Sequence, residues 1–366
     1  MSRVKLREIG TFKNGLNFSA DRVSEGCKMI GIPDFGNRYF ADFSNLSEVD
    51  SGIVPDECTL KDGDILFVRS NGNKALVGRT MIISGVSERI TFSGFCIRFR
   101  PNGEIAIPLY LLLLFKSPLF RKRFSNTQQT SINNINQEVL GEIEIELPSK
   151  DEQQKTIDCI YPIIRKIEIN NAVNDNLAQM AHMTYMHLFF GKPANGRIGD
   201  ILIEKPKSTV QVGEAKDASG DFPFYTSGDA ILRWSEPIVD GRNCFLNTGG
   251  NAGVKFYVGK AAYSTDTWCV TARDNLSDYL YLILDSIRLE LNQKFFQGTG
   301  LKHLQKPMLK DRPIYIPTDS EKEAFNKSVS PWLSMISENI RESQRLVTLR
   351  DWLLPMLMNG QAVLSD

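Results

Sequence analysis

Residues 148–191 and 317–360 are two copies of one unit, and every match between them lies 169 positions apart. Pro148 answers Pro317, Glu152 answers Glu321, Ile167 answers Ile336, Asn170 answers Asn339, Leu177 answers Leu346, Leu188 answers Leu357 and Gly191 answers Gly360. A repeat of this kind decides architecture before local propensity does. Each copy opens on a proline and closes on a glycine, the asymmetry of helix ends, with Ser149 and Asp319 placed to cap. Steps of three and four give Ile160, Ile163, Ile167, Asn170, Asn174, Leu177, Ala181, Thr184 and Leu188 in the first copy. The second gives Val329, Trp332, Ile336, Asn339, Ser343, Leu346, Arg350, Leu353 and Leu357. A seam of period 3.5 predicts two long helices packed as a coiled coil, with Asn170 and Asn339 fixing its register. Two unrelated amphipathic helices would not hold one spacing through both caps.

The segments preceding these helices repeat more loosely. Gly63-Asp64-Ile65-Leu66-Phe67 corresponds to Gly241-Arg242-Asn243-Cys244-Phe245, and Gly94-Phe95-Cys96-Ile97 to Thr267-Trp268-Cys269-Val270. Leu109-Tyr110-Leu111 matches Leu280-Tyr281-Leu282, and Thr130-Ser131-Ile132 matches Thr299-Gly300-Leu301. The offset drifts here, as insertions in loops allow. Short runs of Ile, Val, Phe and Tyr between turn signals such as Asn71-Gly72 and Gly249-Gly250 read as strands. One helix carries Leu109 to Phe115 and then Arg121-Lys122-Arg123. The expected fold is therefore α+β: two mostly β domains, 1–147 and 193–316, separated by long antiparallel helices, 148–192 and 317–366, in a pseudo-twofold repeat.

The chain's 366 residues allow two cores of ordinary size. Its longest apolar run is too short to span a bilayer, and no secretory signal stands out, so a cytoplasmic protein is expected. The six cysteines form no C-x-x-C pair; buried free thiols are the expectation, and no metal site is assigned. His182 and His187 lie five apart, which does not fit a zinc-binding H-E-x-x-H helix.

Net charge is zero, but its distribution is uneven. Lys61 to Gln137 holds eleven Lys or Arg against four acids, and Gly241 to Pro313 ten against six. Both halves thus concentrate positive charge in corresponding segments, as a polyanion partner would require; a merely solvated face is the alternative. The same segments are rich in amides and hydroxyls. Asn and Gln suit the adenine edge, Arg suits guanine, and Lys suits phosphate. The candidate DNA-contacting residues of the first half are Arg69, Asn71, Asn73, Lys74, Arg79, Arg121, Lys122, Gln128, Gln129, Thr130 and Asn133. Those of the second are Asn247, Thr248, Asn251, Lys255, Lys260, Thr299, Lys302, His303 and Lys306.

Three strings then carry a resemblance over the whole chain. They are Leu147-Pro148-Ser149-Lys150-Asp151-Glu152-Gln153, Ile169-Asn170-Asn171-Ala172-Val173-Asn174-Asp175-Asn176-Leu177, and Leu349-Arg350-Asp351-Trp352-Leu353-Leu354-Pro355-Met356-Leu357-Met358-Asn359-Gly360-Gln361. The first two resemble the central conserved region, and the third the C-terminal one, of the DNA-specificity subunits of type I restriction-modification enzymes. The resemblance implies two target-recognition domains, each reading one half of a split double-stranded DNA sequence, with the helices setting the unread gap. It implies assembly with two methylation subunits and with restriction subunits. S-adenosylmethionine would be bound by the methylation partner, leaving this chain without cofactor or catalytic residue. Pro355 stands where the first copy has Met186, and a bend in the last turns is expected there.

Two other classes fit less well. An amino-methyltransferase would need an Asn- or Asp-Pro-Pro-aromatic loop and a glycine-rich cofactor turn, and neither is present. A coiled-coil scaffold accounts for the helices but not for paired basic, amide-rich loops.

Overall fold

The computed structural model describes residues 2–17, 26–36, 38–73, 76–125, 135–358 and 361, without the side chains of residues 123–125. The chain divides into two compact units, one of residues 1–165 with 346–366 and the other of residues 166–345.

In the first unit, a four-stranded antiparallel sheet runs in the order Gly10–Asn14, Cys96–Pro101, Ile65–Val68, Thr80–Ile82. Ile65–Val68 is buried along its whole length, which is why it reads as an unbroken apolar run rather than an alternating one. A three-stranded sheet places Cys27–Ile30 between Ser47–Val49, antiparallel, and Ile90–Phe92, parallel. Ser2–Lys5 pairs with Glu144–Leu147, so the domain closes on the strand that leads into the first long helix. The expected single helix is two, Pro108–Lys116 and Pro118–Ser125. Ser117 is extended because the ring of Pro118 disfavours helical geometry at the residue before it.

The second unit repeats this plan strand for strand. Its four-stranded sheet runs Leu202–Glu204, Thr267–Ala272, Arg242–Asn247, Val254–Val258. Phe222–Tyr225 lies between antiparallel Ile231–Trp234 and parallel Ala262–Tyr263, and Gly196–Arg197 pairs with Pro313–Ile314. Cys96 and Cys269 sit buried on corresponding strands; all six cysteines are free. Here the helix Ser277–Ser286 is followed by a wide π turn, Leu291–Phe295, and a small hairpin, Phe296–Gln297 with His303–Leu304.

The long helices span Lys150–Phe189 and Asp319–Met358. Each begins with a reciprocal cap. The Ser149 backbone N–H donates to Glu152 Oε2 at 2.9 Å, and the Glu152 N–H donates to Ser149 Oγ at 3.4 Å. In the second copy Thr318, not Asp319, fills this role, with the same two bonds to Glu321 at 2.8 and 3.4 Å. Thr318 is the residue 169 positions after Ser149, and Asp319 lies inside the helix. The helical assignment runs through Pro162 and Pro331, again one repeat apart, and past Pro355 to Met358.

The seam departs from the 3.5 period at its ends. From Ala181 the buried line advances by fours to Tyr185 and Phe189, and Leu188 is exposed. Tyr185 and Phe189 lie 5.7 and 5.1 Å from the Tyr279 ring, so here the helix packs into a domain core. Leu333 likewise replaces Trp332 as the buried residue. In the first unit Ile160, Ile164 and Leu354 join the core around Phe67, Phe99 and Phe115. In the second, the ion pair of part-buried Arg242 with buried Asp278 clamps the second helix at its proline turn. Arg242 Nη2 donates to the Ser330 carbonyl at 2.8 Å and Ser330 Oγ to Asp278 at 2.5 Å.

Between these anchors the seam is polar. Asn170, 2% exposed, donates through Nδ2 to Glu342 Oε2 at 2.8 Å and Ser343 Oγ at 3.2 Å. Asn339 donates to Asn174 Oδ1 at 2.8 Å. The two expected register residues therefore do not meet each other. Shifting Asn170–Ser343 by one repeat gives Asn339–Asn174, so one contact is made twice about a local twofold in the helix pair.

Candidate nucleic-acid interface

In both domains the loop after the central strand, the turn before the last long strand and the segment beyond the helices that follow that strand are tied at one residue. In the first domain the Arg69 N–H donates to the Phe95 carbonyl, and the Arg69 carbonyl accepts from the Ile135 N–H, both at 2.8 Å. In the second, the Thr248 N–H donates to the Asp266 carbonyl at 3.1 Å, and the Thr248 carbonyl accepts from the Leu304 N–H at 3.0 Å. Each junction gathers three loops that the sequence lists far apart. Backbone bonds of this kind hold polar loop residues in place without consuming their side chains.

Around the second junction, the Gly250 N–H donates to the Lys302 carbonyl at 2.9 Å and joins loop 247–253 to the hairpin. Asn292, on the π turn, accepts from the Ala252 N–H at 3.1 Å and braces the same loop. Asn251, Thr299, Lys302 and His303 are exposed around this framework. Other candidates face inward. Asn247 is buried, and its Nδ2 donates to the Asn251 carbonyl at 3.0 Å. Thr248 Oγ1 donates to the Asp266 carbonyl at 2.8 Å. Lys255 Nζ donates to the carbonyls of Thr226, at 2.6 Å, and Gly228, and burial pushes its pKa down. Lys306 lies 4.8 Å over the Trp268 ring and 3.9 Å from Glu204, again with burial lowering its pKa. Glu204 is held below the usual carboxylate range by its bond from Lys310, and it also accepts from Trp268 Nε1. Lys260 is exposed at the far end of strand Val254–Val258 from loop 247–253, beside Gly259 and Arg341, and is not brought to this group.

Around the first junction, Asn71 Oδ1 accepts from the Asn73 N–H at 2.8 Å in a tight turn. Arg69 Nη1 reaches the Gly94 carbonyl at 3.5 Å, and Arg79 Nη1 the Gly36 carbonyl at 3.0 Å. Burial lowers the Arg121 pKa and the charge of Arg79 lowers it further, so two guanidinium groups share one neighbourhood. Lys122 is exposed on the same helix. Lys74, Gln128, Gln129, Thr130 and Asn133 lie outside the described residues.

The positive charge counted along the sequence is not all presented to solvent. Arg98, 6% exposed, donates to the carbonyls of Glu57 and Thr59, and Arg100 grips Asp64 with two bonds. Arg242 and Arg312 are engaged with Asp278 and Glu290. Two large apolar side chains go the other way. Phe95 at the first junction is 55% exposed, and Leu301 in the hairpin of the second is 65% exposed. Sequence reasoning assigned neither residue a role; a large apolar residue directly after a glycine in a turn was the available signal.

Among the described residues no group of three or more His, Cys, Asp or Glu could hold a metal ion. Among them, no helix is long and apolar enough to cross a membrane.

The family model described as "Type I restriction modification DNA specificity domain" matches twice, over residues 1–179 and 194–342. The specificity subunit of the type I restriction enzyme HindI from Haemophilus influenzae is 27% identical over 134 residues, 36% of this chain and 28% of that protein. That of StySPI from Salmonella potsdam is 25% identical over 140 residues, 38% of this chain and 30% of that protein. The matched stretch thus spans less than a third of the length of either curated relative. The S subunit of a type I restriction-modification system from M. genitalium aligns over 97% of this chain and 95% of its own with a TM-score of 0.62. At 13% identity that likeness is one of fold.

Proposed function

Because this chain belongs to the family of type I restriction-modification DNA-specificity proteins, we propose that it is the non-catalytic component that selects the DNA sequence. Each domain, 1–147 and 193–316, reads one half of a bipartite double-stranded site, and the helical segments 148–192 and 317–366 set the unread spacer. The observation that carries this reading is the pair of equivalent backbone junctions at Arg69 and Thr248, each presenting polar and basic loops. Two readers built alike but with different loop residues suit two different half-sequences.

The candidate residues divide by chemistry. Asn71, Asn73, Asn251 and Thr299, with Gln128, Gln129, Thr130 and Asn133, have the side chains that bond base edges. Lys122, Lys302 and His303, with Lys74, contribute charge for phosphate; Arg69, Arg79 and Arg121 suit either role. Asn247, Thr248 and Lys255 hold the loops in shape, Lys306 lies at the margin, and Lys260 stands apart from the group. Methylation chemistry and S-adenosylmethionine belong to two methylation subunits, and cleavage to restriction subunits. A complex that acts on the genome of a bacterial cell works in the cytoplasm.

Reconstitution with the methylation subunits tests this. Replacing residues 1–147 by the equivalent domain of a relative should change one half of the methylated sequence and leave the other intact. Heat of S-adenosylmethionine binding should appear only once the methylation subunits are added. Both half-sequences changing together, or a one-to-one heat from this chain alone, would overturn the proposal.

A further inference from the structure

We infer that Leu301 reads the C5-methyl group of a thymine in the half-site of the second domain; this rests on the DNA-specificity reading above. Leu301 sits in the turn of hairpin Phe296–Gln297 / His303–Leu304, a two-stranded ribbon of the width the major groove admits. Its side chain is 65% exposed, and removing that apolar surface from water is favourable. Among the groups that base pairs present in the major groove, the thymine methyl is the apolar one. A protein partner would instead call for a contiguous apolar patch, whereas Thr299, Gly300, Lys302 and His303 surround Leu301 in sequence and are exposed with it.

The hairpin is also shaped in advance. Gly298 has φ +151°, and a Cβ there would stand 2.6 Å from the Leu301 carbonyl, so only glycine lets the turn close. Its base is stitched to loop 247–253 by the bonds Gly250 N–H to Lys302 O and Leu304 N–H to Thr248 O. Leu301 is thus presented by backbone geometry beside Gly249, and the exposed Asn251 and Lys302 of the two joined segments supply a polar contact and charge. The loss of ordering entropy on binding is correspondingly small.

The test uses the full chain assembled with its methylation subunits and duplexes carrying its methylated site. Each thymine of the second domain's half-site is replaced in turn by deoxyuridine, which lacks only the methyl group. One such replacement should weaken binding by the wild type about fourfold, the factor for burying one methyl-sized group. The same replacement should leave Leu301→Ala unaffected, while Leu301→Met keeps the methyl preference. Leu301 is exposed, so neither variant threatens folding. A wild type indifferent to every uracil, equal losses in wild type and Leu301→Ala, or a half-site without thymine would each overturn the assignment. A complex that prefers no duplex sequence at all would overturn the specificity reading, and this assignment with it.

Discussion

At the scale of single residues, composition misjudges which charges are available. Lys255 and Lys302 look interchangeable in the sequence. In the structure the Lys255 ammonium is half-buried against the Thr226 and Gly228 carbonyls, while Lys302 is exposed. Lys302→Met should therefore flatten the dependence of log affinity on log salt by about one unit, the signature of one lost phosphate contact. Lys255→Met should keep the wild-type slope and instead relax discrimination at the second half-site, because loop 226–228 loses its anchor. Titrations at several salt concentrations on matched and mismatched duplexes separate the two; a flattened slope for Lys255→Met would return it to the phosphate contacts. Asn247 shows the same limit. Its amide was legible as a hydrogen-bonding group, but only the close approach of Gly253 and Asn251 reveals that its partner is its own loop. The register asparagines were legible as a pair of matched positions. Their partners were not, because an antiparallel pairing sets Asn170 against Ser343 rather than against its own copy.

At the scale of elements, the caps of the long helices and their prolines 162 and 331 follow the repeat more strictly than the seam does. Thr318→Ala should destabilise the second unit by ~1 kcal/mol, as loss of an N-cap hydroxyl commonly does, and Asp319→Ala by much less. Thermal unfolding of the variants checks this. The cap also has a pH signature. Glu321 is held at about 2 by Lys192, the Thr318 backbone N–H, Tyr315 and the Thr318 hydroxyl, below its ordinary 4.5. A carboxylate depressed on folding contributes stability above its unfolded pKa and loses it as pH falls toward the folded one. Wild-type melting temperature should therefore fall more steeply than that of Glu321→Gln between about pH 4.5 and 2. Parallel curves would show that the cap charge is not coupled to folding. The strands were legible as apolar runs, and the 3.5 period located both helices. The shift to steps of four after Ala181 was not legible, because it is imposed by Tyr279 and Phe325, residues of the domain core distant in sequence.

At the scale of the whole molecule, the duplicated plan was legible and its detail was not. Corresponding sequence runs gave the two central strands, yet identical strand order in all three sheet types emerges only from pairing. If the helices set the spacer, removing one heptad from each in register shortens them by ~10 Å. That equals roughly three base pairs at ~3.4 Å each. The unread gap in the methylated sequence should contract accordingly, and sequencing of modified bases reads it directly. A folded, active deletion with an unchanged gap would remove the helices from spacer selection.

The first unit is assembled from residues 1–165 and 346–366, and Leu354 is buried among the side chains of Ile157, Ile160 and Ile164. Synthesis on the ribosome delivers those partners about 190 residues apart, with the entire second unit made in between. The domain that emerges first is therefore completed last. Until Leu354 arrives, the nascent chain carries an open apolar face, and the second unit can mature while the first still waits for its final side chains.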